Sequence, residues 1–585
     1  MIAVYGLSFF LAGCALMYEL LIARAVSLWA VNNAVWYALA VGIFIGGMGL
    51  GAALSGRGQK GRPAWQRLWR VECWVAVAGG LSVFLIHAAA LASLFCGLAG
   101  QELLAKVIFF GAAFAVALAV GIGAGVELPL LLTMVDEQPI GGSVDKTARV
   151  LLMDYAGALL AGLIFPFFIL PVMDVMTAAF LVAGLNAVAA LWLLRHFRSI
   201  EGRKRLTALL LLFSMLLFFA PQIEGYFISK YYFSFQDKTL SVDFFKPRKY
   251  TGHVERLRSP YQVIDLVTAD DIGAEARGLA AAFIKPAAAD NKKLEGSVLF
   301  LNHDFQFAVS YERIYHEAFA HVPVSVLGRV PQRVLILGAG DGLLLREILK
   351  YSQVKSVILV DIDPKVVEIF KFNPDLSRLN DHSLLDPRVQ IITGDAYQYV
   401  RHTREKFDMV FCDFPNPDDY DLAKLYSREF YTFARQTLLS DGMLVLDAPG
   451  ISREMEGDKK GAGVSWKIFS STLHAAGFGN VRPFFSSLEE DNRAALTVLD
   501  GDAEALKGYL EALSAGFIMA SPQLRSLEPM PLDVPGLRVM TDERVRLGLS
   551  GQERFSEAVD IEDVNSLFHP LFPLREEWSR IRTAY

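Results

Sequence analysis

The sequence has 585 residues, of which 53% are hydrophobic and only 20% are charged, and its formal net charge is -6 at pH 7. A chain of this length exceeds one ordinary domain, and so apolar a composition indicates that part of it lies in lipid. This slightly negative net charge is unlike that of nucleic-acid-binding proteins, which carry a basic surface. No nucleic-acid partner is therefore expected.

The first 222 residues contain about seven apolar stretches, each long enough to cross some 30 Å of hydrocarbon as a helix. No Lys or Arg precedes the first stretch and further stretches follow it, so it is not predicted to be a cleaved signal peptide. Residues 1–222 are therefore predicted to form a transmembrane helical bundle, with spans at 2–22, 34–54, 73–96, 107–134, 150–172, 177–194 and 206–222.

Basic residues concentrate in the loops after the second, fourth and sixth predicted spans. The positive-inside rule places these loops, and the N-terminus with them, in the cytoplasm. The side of the membrane on which the rest of the chain lies then depends on residues 206–222. If that segment crosses, the rest of the chain lies outside, and if it lies along the membrane surface, the rest stays in the cytoplasm.

Beyond residue 222 the pattern changes to short β-like runs at 261–267 and 297–302, separated by a polar, Ala-rich stretch at about 269–293. We expect that stretch to be a surface insertion. Residues 223–330 are predicted to form a small β-rich subdomain.

From Arg333 onward, apolar strands alternate with amphipathic helices, as in VLILGAGDG, LLLREILKY and SVILVDID, and later in VQIITGDA, FDMVFCDF and GMLVLDAP. This alternation predicts a parallel sheet covered on both faces. Residues 331–585 are therefore predicted to form a C-terminal α/β domain of the Rossmann-like, methyltransferase-like class.

The strongest candidate site is the glycine loop that contains Gly338 and Gly340 and directly follows the strand VLIL. Glycines let the backbone approach a ligand, and an acidic residue about 20 positions on, here Asp361, can bind ribose hydroxyls. Asp395 is placed to read an adenine amino group, and Asp413 ends another strand at the same edge of the sheet. Acidic residues that merely end strands would explain one or two of these, but not the set. The four cysteines form no CxxC pair, and no metal site is predicted.

Residues 259–450 resemble the spermidine synthases, or polyamine aminopropyltransferases, in SPYQ, YHEAFAH, GAGDG, VDID, DPRVQIITGDA, DFPNP and LYSREFY. The apolar half resembles multi-spanning members of that family in YELLIAR, GVELPLL and DYAGALLAGLIFP. The resemblance implies transfer of an aminopropyl group from decarboxylated S-adenosylmethionine, a co-substrate rather than a cofactor, to an amine such as putrescine. The products would be spermidine and methylthioadenosine.

The resemblance also assigns residues to three groups. The adenosyl group would contact Gln262, Gly338, Gly340, Asp341, Asp361, Asp395 and Ala396. The amine would contact Tyr261, Tyr315 and His316, and the catalytic positions are Asp413 and Asn416.

Two positions depart from the family pattern. The family's proton acceptor is an aspartate where this chain has Asn416, and an amide is no useful base near neutral pH. Asp413, Asp418 or Asp419 could replace it, or the amine could arrive deprotonated. An acidic pair is common just before YHE, where this chain has Tyr311 and Glu312, so a phenol replaces one carboxylate.

Asp341 also separates two classes of ligand. It would repel the carboxylate of ordinary S-adenosylmethionine and attract the free amine of the decarboxylated form. Two other functions stay open: another S-adenosyl-dependent transferase, including a methyltransferase, and a transporter or sensor that binds a nucleoside or polyamine without turnover.

The expected partners are a polyamine, the adenosyl co-substrate, the lipid bilayer and a second copy of the chain in a homodimer. The expected location is the cell (inner) membrane, as a multi-pass protein. We favour a cytoplasmic C-terminal domain, because nucleoside sulfonium ligands are made inside cells.

Three acidic residues, Glu19, Glu127 and Asp154, lie within the apolar stretches. Such residues often mark polar pathways, here a route for a cationic polyamine, but pairing with Arg24 or Arg149 is the simpler interpretation. Small residues at 46–51 predict close helix packing.

Overall fold

We describe the protein from a computed structural model. The described residues form two compact units, 2–233 and 252–572. Within these bounds the structure describes residues 2–30, 33–56, 61–137, 143–233, 252–269, 282–285, 294, 296–417, 420–451, 462–486, 488, 493–523, 528–552, 555 and 559–572.

The first unit consists of long apolar helices, and in the part of the chain described, seven of them are long and apolar enough to cross a membrane. Helix α5 continues into a π-helical turn, Phe165–Ile169, that contains a proline. The helices are α1 Ile2–Trp29, α2 Asn33–Leu54, α3 Ala64–Leu98, α4 Glu102–Asp136, α5 Ser143–Ile164, α6 Val175–His196 and α7 Arg203–Tyr232.

The number of helices agrees with the predicted spans, but several helices are longer than the apolar stretches that predicted them. Helix α3 begins at Ala64 rather than at residue 73, so its first two turns include charged residues. Helix α7 runs through residue 222 to Tyr232. The residues predicted to open the β-rich subdomain are therefore helical as far as Tyr232.

Helices α2 and α4 approach each other closely because glycines face backbone at their contact. A Cβ atom on Gly51 would overlap the carbonyl oxygen of Ile122, and one on Gly125 would overlap that of Met48. By contrast, a Cβ on Gly46 would meet nothing within 4 Å. The small residues therefore do allow the close packing predicted for them.

A buried polar cluster lies inside the first unit, formed by Tyr18, Glu72, Glu127 and Asn186. The amide Nδ2 of Asn186 donates to Glu72 Oε2 at 3.2 Å. Glu127 interacts electrostatically with Glu72, and no ion pair of either carboxylate occurs among the described residues. The described residues therefore show no ion pair of Glu127 with either of the suggested partners, Arg24 or Arg149, and Glu72 is a buried acid that the sequence interpretation missed.

The second unit begins with a four-stranded antiparallel sheet in the order β1-β2-β3-β4. A two-residue turn joins β3 to β4, and the Asn302 side chain in that turn accepts a hydrogen bond from Val263 N at 3.0 Å. The strands are β1 Gly252–Arg258, β2 Val263–Ala269, β3 Ser297–Leu301 and β4 Asp304–Ala308.

Part of the stretch predicted as a surface insertion is buried, and most of the rest lies outside the described residues. Phe283 and Ile284 are 3% and 8% exposed and pack in an apolar cluster with Leu506 and Val539. Lys285 N donates to the carbonyl of Arg538 at 3.0 Å. The surface prediction was wrong for these residues, because a distant segment of the chain covers them.

The main sheet has seven strands in the order β10-β11-β9-β8-β5-β6-β7. Strands β5 to β9 are parallel, whereas β11 is antiparallel to both of its neighbours. The strands are β5 Arg333–Gly338, β6 Ser356–Asp361, β7 Val389–Thr393, β8 Phe407–Asp413, β9 Leu438–Asp447, β10 Asn480–Phe485 and β11 Gly516–Ser521.

Apolar clusters cover both faces of this sheet. Successive residues of β5 point to opposite faces, with Ile336 in one cluster and Leu337 in the other. The first cluster also contains Leu299 of β3, so the small sheet shares its core with the large one. The α/β Rossmann-like topology predicted from the alternating pattern is confirmed.

The described part of the second unit also contains eleven α-helices. They are α8 Glu312–Leu327, α9 Leu343–Leu349, α10 Pro364–Phe372, α11 Pro374–Leu379, α12 Ala396–His402, α13 Tyr420–Ala423, α14 Arg428–Thr437, α15 Ala462–Ala475, α16 Arg493–Val498, α17 Ala503–Leu513 and α18 Asp542–Gly548.

A fully buried carboxylate, that of Glu317 on α8, binds a late segment of the chain. It accepts backbone hydrogen bonds from Arg538, Val539 and Met540, the shortest at 2.8 Å. Such bonds to an ionised acceptor are stronger than neutral ones. Glu317 therefore joins α8 to residues 538–540 without an opposite charge.

Candidate functional site

Four neighbouring parallel strands end at the same edge of the large sheet. Gly338 of β5 is paired with Asp413 of β8 and lies one strand from Asp361 at the end of β6. On the other side, Cys412 pairs with Leu446, so Asp413 and Asp447 end adjacent strands. Ligands bind at this edge in open α/β sheets, which makes it the candidate site.

The glycine loop after β5 lies close to both neighbouring strands. Gly338 has a φ of 84°, and a Cβ there would overlap the carbonyl oxygen of Asp413. A Cβ on Gly340 would lie 2.6 Å from Asp361 Oδ2. Only glycine satisfies both the positive φ and the close approach at Gly338.

Asp361 holds the loop through its side chain. Its Oδ2 accepts from Gly340 N at 3.0 Å, and its Oδ1 accepts from Asp363 N at 2.8 Å. Burial, the dominant effect, and the charges of Asp363 and Asp341 raise the pKa of Asp361 to about 6. Both oxygens keep lone pairs for a ligand, because each carboxylate oxygen can accept more than one hydrogen bond.

Asp341 faces the same space from within the loop. Its Oδ1 accepts from Leu343 N at 2.8 Å. Burial raises its pKa, and the charge of His316 opposes that shift. Asp341 is close enough to Asp361, Asp413 and His316 to interact electrostatically with each, so these predicted site residues lie together.

Helix α8 contributes Tyr315 and His316 to the site. The hydroxyl of Tyr315 donates to Asp413 Oδ1 at 3.0 Å. His316 Nδ1 lies 2.9 Å from Glu312 Oε2 and 2.8 Å from the Glu312 carbonyl. Burial would lower the pKa of His316, but the hydrogen bond and charge of Glu312 outweigh burial, so the pKa is raised.

Glu312, four residues before His316, is buried and paired with Arg346. Two nitrogens of Arg346 donate to its two oxygens at 2.8 and 2.9 Å, in a bidentate pair. Burial would raise its pKa, but the charge of Arg346 and the bonds with His316 lower it to about 2. Glu312 therefore positions His316.

Asp447 is a site residue that the sequence interpretation did not single out. It is close enough to Asp413 and Tyr315 to interact electrostatically with both. Burial, followed by the charge of Asp413, raises its pKa to about 8. The available signal was its place at the end of the strand in GMLVLDAP, the same position that Asp413 occupies in FDMVFCDF.

The SPYQ turn, residues 259–262, is connected to the site through Asp363. The amide Nε2 of Gln262 donates to Asp363 Oδ2 at 2.8 Å, and Ser259 Oγ donates to the same oxygen at 2.7 Å. The turn is thereby fixed beside the residue that caps α10. Tyr261, predicted to face the amine, is 52% exposed.

Both oxygens of Asp395 are already engaged in the protein. Oδ1 accepts from Tyr397 N at 2.8 Å and caps α12, and Oδ2 lies 3.1 Å from Lys424 Nζ. A ligand amino group would therefore share Asp395 with Lys424. Ala396, the first residue of α12, is buried in the apolar cluster on that face of the sheet.

Asn416, in the loop that follows β8, is exposed. Two of the carboxylates considered as its replacements, Asp418 and Asp419, lie outside the described residues. The third, Asp413, is in the site, where burial and the charge of Asp341 raise its pKa to about 6.

The described part of the site thus combines four carboxylates with one imidazole. Such a concentration of carboxylates attracts cations and can accept protons. The charge distribution fits a ligand that carries positive charge.

Comparison with known proteins agrees with this chemistry. Residues 312–457 match the family described as the spermine/spermidine synthase domain. A polyamine aminopropyltransferase of Oceanobacillus iheyensis is 31% identical over 499 residues, which cover 83% of this chain and 86% of that protein. Polyamine aminopropyltransferase 2 of Ralstonia nicotianae is 30% identical over 442 residues, which cover 75% of this chain and 77% of that protein.

Among solved structures, this chain is similar to the spermidine synthase of Thermotoga maritima, with 21% sequence identity and a TM-score of 0.37. The alignment covers 52% of this chain and 92% of that protein.

Proposed function

Because this chain belongs to the polyamine aminopropyltransferase family, we propose that it transfers an aminopropyl group from decarboxylated S-adenosylmethionine to a primary amine such as putrescine. The products are spermidine and methylthioadenosine. The seven apolar helices support a membrane-bound form of the enzyme.

The observation that carries this proposal is the carboxylate cluster at the sheet edge. The reaction brings together a sulfonium ion and an alkylammonium ion, two cations that repel each other. Asp341, Asp361 and Asp413 interact electrostatically with one another, so they form one negatively charged site. Such a site offsets the repulsion between the two cations.

Asp341 supports the decarboxylated co-substrate over ordinary S-adenosylmethionine. The ordinary form carries a carboxylate on the carbon that bears the amine, and that carboxylate would enter a site already rich in negative charge. The decarboxylated form brings only the ammonium group. Electrostatic repulsion therefore selects against methyl-donor chemistry at this site.

The test uses the full-length protein purified in detergent, incubated with either form of the co-substrate and a panel of diamines and triamines. We expect methylthioadenosine to form only with the decarboxylated co-substrate and only when an amine is present. Formation of S-adenosylhomocysteine would indicate a methyltransferase instead. Binding of either ligand without any product would indicate a transporter or sensor.

A further inference from the structure

The buried polar cluster of the helical unit contains three oxygen atoms that form no hydrogen bond with any described residue. They are Glu72 Oε1, Asn186 Oδ1 and the hydroxyl oxygen of Tyr18. All three side chains are at most 1% exposed. A buried polar atom without a partner lowers stability, and most such atoms in folded proteins are satisfied. Three of them in one cluster therefore indicate that the cluster binds a ligand.

A hydrogen bond between α3 and α6 brings two of these oxygens together. Asn186 donates through Nδ2 to Glu72 Oε2 at 3.2 Å, so the other oxygen of each group lies beside that bond. Tyr18, on α1, packs its ring against α3, where a Cβ on Gly79 would lie 2.5 Å from the carbon that bears the hydroxyl. Tyr18 is also close enough to Glu72 and Glu127 to interact electrostatically with both.

The free oxygens determine which ligand fits. An ionised carboxylate and an amide oxygen can only accept hydrogen bonds, so both require a donor. Glu72 also requires positive charge, because it has no ion pair in the described part of the chain. A proton on Glu72 would remove its charge but leave Asn186 Oδ1 without a donor. A primary ammonium group supplies both, since it carries one positive charge and three N–H donors.

The cluster lies well inside the helices. Glu72 lies about 12 to 15 Å along the helix axis from the start of α3, and Glu127 and Asn186 lie as far from the ends of α4 and α6. These three helix ends adjoin alternate loops, which lie on one side of a bundle of crossing helices. In a hydrocarbon layer of about 30 Å the cluster would be near the middle, where a cation needs a paired negative charge.

We propose that Glu72, Asn186 and Tyr18 form a binding site for a primary ammonium group inside the helical unit. Glu72 Oε1 pairs with the charge and accepts one N–H bond, and the oxygens of Asn186 and Tyr18 accept the other two. Glu127 adds negative charge close by. The ligand is an alkylamine. Its identity as a diamine or polyamine rests on the proposed function, whereas the ammonium site rests on the helical unit alone.

Equilibrium dialysis of the full-length protein in detergent against radiolabelled putrescine tests this site. We expect Glu72→Gln to weaken the binding of one putrescine molecule per chain by at least about tenfold, because a neutral amide replaces a charge-assisted acceptor. Tyr18→Phe, which removes only the hydroxyl, should weaken it by a smaller factor. Glu102→Gln, at the exposed start of α4, is the matched control and should bind putrescine as the parent does.

Two further measurements separate this site from the catalytic one and from non-specific binding of cations. Glu72→Gln and Tyr18→Phe should keep the parental kcat and KM for the amine, since the catalytic carboxylates belong to the other unit. Methylamine should displace putrescine from the Glu72 site at concentrations at least about tenfold lower than tetramethylammonium or Na⁺ does. Tetramethylammonium has the same charge as methylammonium but no N–H group to donate.

Equal putrescine binding in the parent and in Glu72→Gln would overturn the proposal. Displacement by tetramethylammonium as effective as that by methylamine would overturn the recognition of N–H groups. If Glu72→Gln fails to fold, unchanged binding in a folded Tyr18→Phe variant would overturn the site in the same way. A parent that binds putrescine through Glu72 but forms no methylthioadenosine would support the ammonium site and refute the proposed function.

Discussion

Asp361 links two backbone segments at the site through its side chain. It fixes the glycine loop through Gly340 N and the start of the next segment through Asp363 N. The same side chain is the one expected to bind both ribose hydroxyls. Loop position and ligand affinity should therefore depend on this one residue.

We predict that Asp361→Ala weakens the binding of methylthioadenosine by at least tenfold. The substitution removes charge-assisted hydrogen bonds worth about 1.5 to 3 kcal/mol, and about 1.4 kcal/mol corresponds to a factor of ten. Calorimetry with the purified protein measures the change. Glu368→Ala, which removes an exposed carboxylate of α10, is the control and should bind as the parent does. An unchanged affinity in Asp361→Ala would refute the adenosyl site.

Asp341, Asp361 and Asp413 could be predicted as site residues because each belongs to a short local motif. Asp447 ends a strand in the same way, but its nearness to Tyr315, which is distant in sequence, is set by the packing of α8. Similarly, the pairing of Glu312 with Arg346 depends on the packing of α8 and α9. Local motifs specify which strand end carries an acid, whereas tertiary packing decides what that acid faces.

At the scale of elements, the contact between α2 and α4 is one of the close helix contacts in the helical unit. Glycines on both helices face the backbone of the partner, and in lipid such van der Waals contact takes the place of hydrophobic association. The helix pair should consequently tolerate no added methyl group at these positions.

We predict that Gly125→Ala destabilises the helical unit, because the new methyl group would overlap Met48 O. Overpacking of this kind typically costs about 1 to 3 kcal/mol. Thermal unfolding in detergent should show a lower midpoint for Gly125→Ala. Gly46→Ala is the matched control, since its methyl group meets nothing within 4 Å, and its midpoint should not fall. Equal midpoints for both variants would contradict the predicted close contact.

Most helices and strands could be predicted, because the spacing of apolar residues along the chain indicates them locally. The residues at which they begin and end could not be predicted. Helix α3 begins nine residues earlier than its apolar stretch, at Ala64, because polar residues are as compatible with a helix as apolar ones. For this reason the sequence interpretation missed Glu72, which lies in α3 just before the predicted span 73–96. Phe283 and Ile284 were misplaced for a different reason, since the segment that covers them comes more than two hundred residues later.

At the scale of the whole molecule, the path of the chain through the membrane depends on α7. This helix has 30 residues, which gives a length of about 45 Å, and it begins with Arg203 and Lys204. Its length exceeds the hydrocarbon thickness of about 30 Å. Helix α7 is therefore long and apolar enough to cross the hydrocarbon.

We predict that reporter fusions after residues 200 and 240 give signals on opposite sides of the membrane. The fusion after residue 200 should be cytoplasmic, because the basic loops follow the positive-inside rule. Signals on the same side would show that α7 does not cross and would restore the cytoplasmic placement expected from the ligand pool. A fusion after residue 60, in another basic loop, is the control and should match the fusion after residue 200.

The hydrogen bonds between Glu317 and residues 538–540 can form only late in the synthesis of the chain. The carboxylate and its first backbone donor are separated by 221 residues of chain. At a synthesis rate of about 5 to 20 residues per second, Glu317 leaves the ribosome some 10 to 45 s before its partners. Until then the carboxylate of Glu317 lacks its backbone hydrogen-bond donors. Glu317 lies on α8, the helix that also carries Tyr315 and His316. The ribosome must therefore add nearly the whole chain before this helix can dock permanently, and assembly of the active site is a late event in the life of the nascent protein.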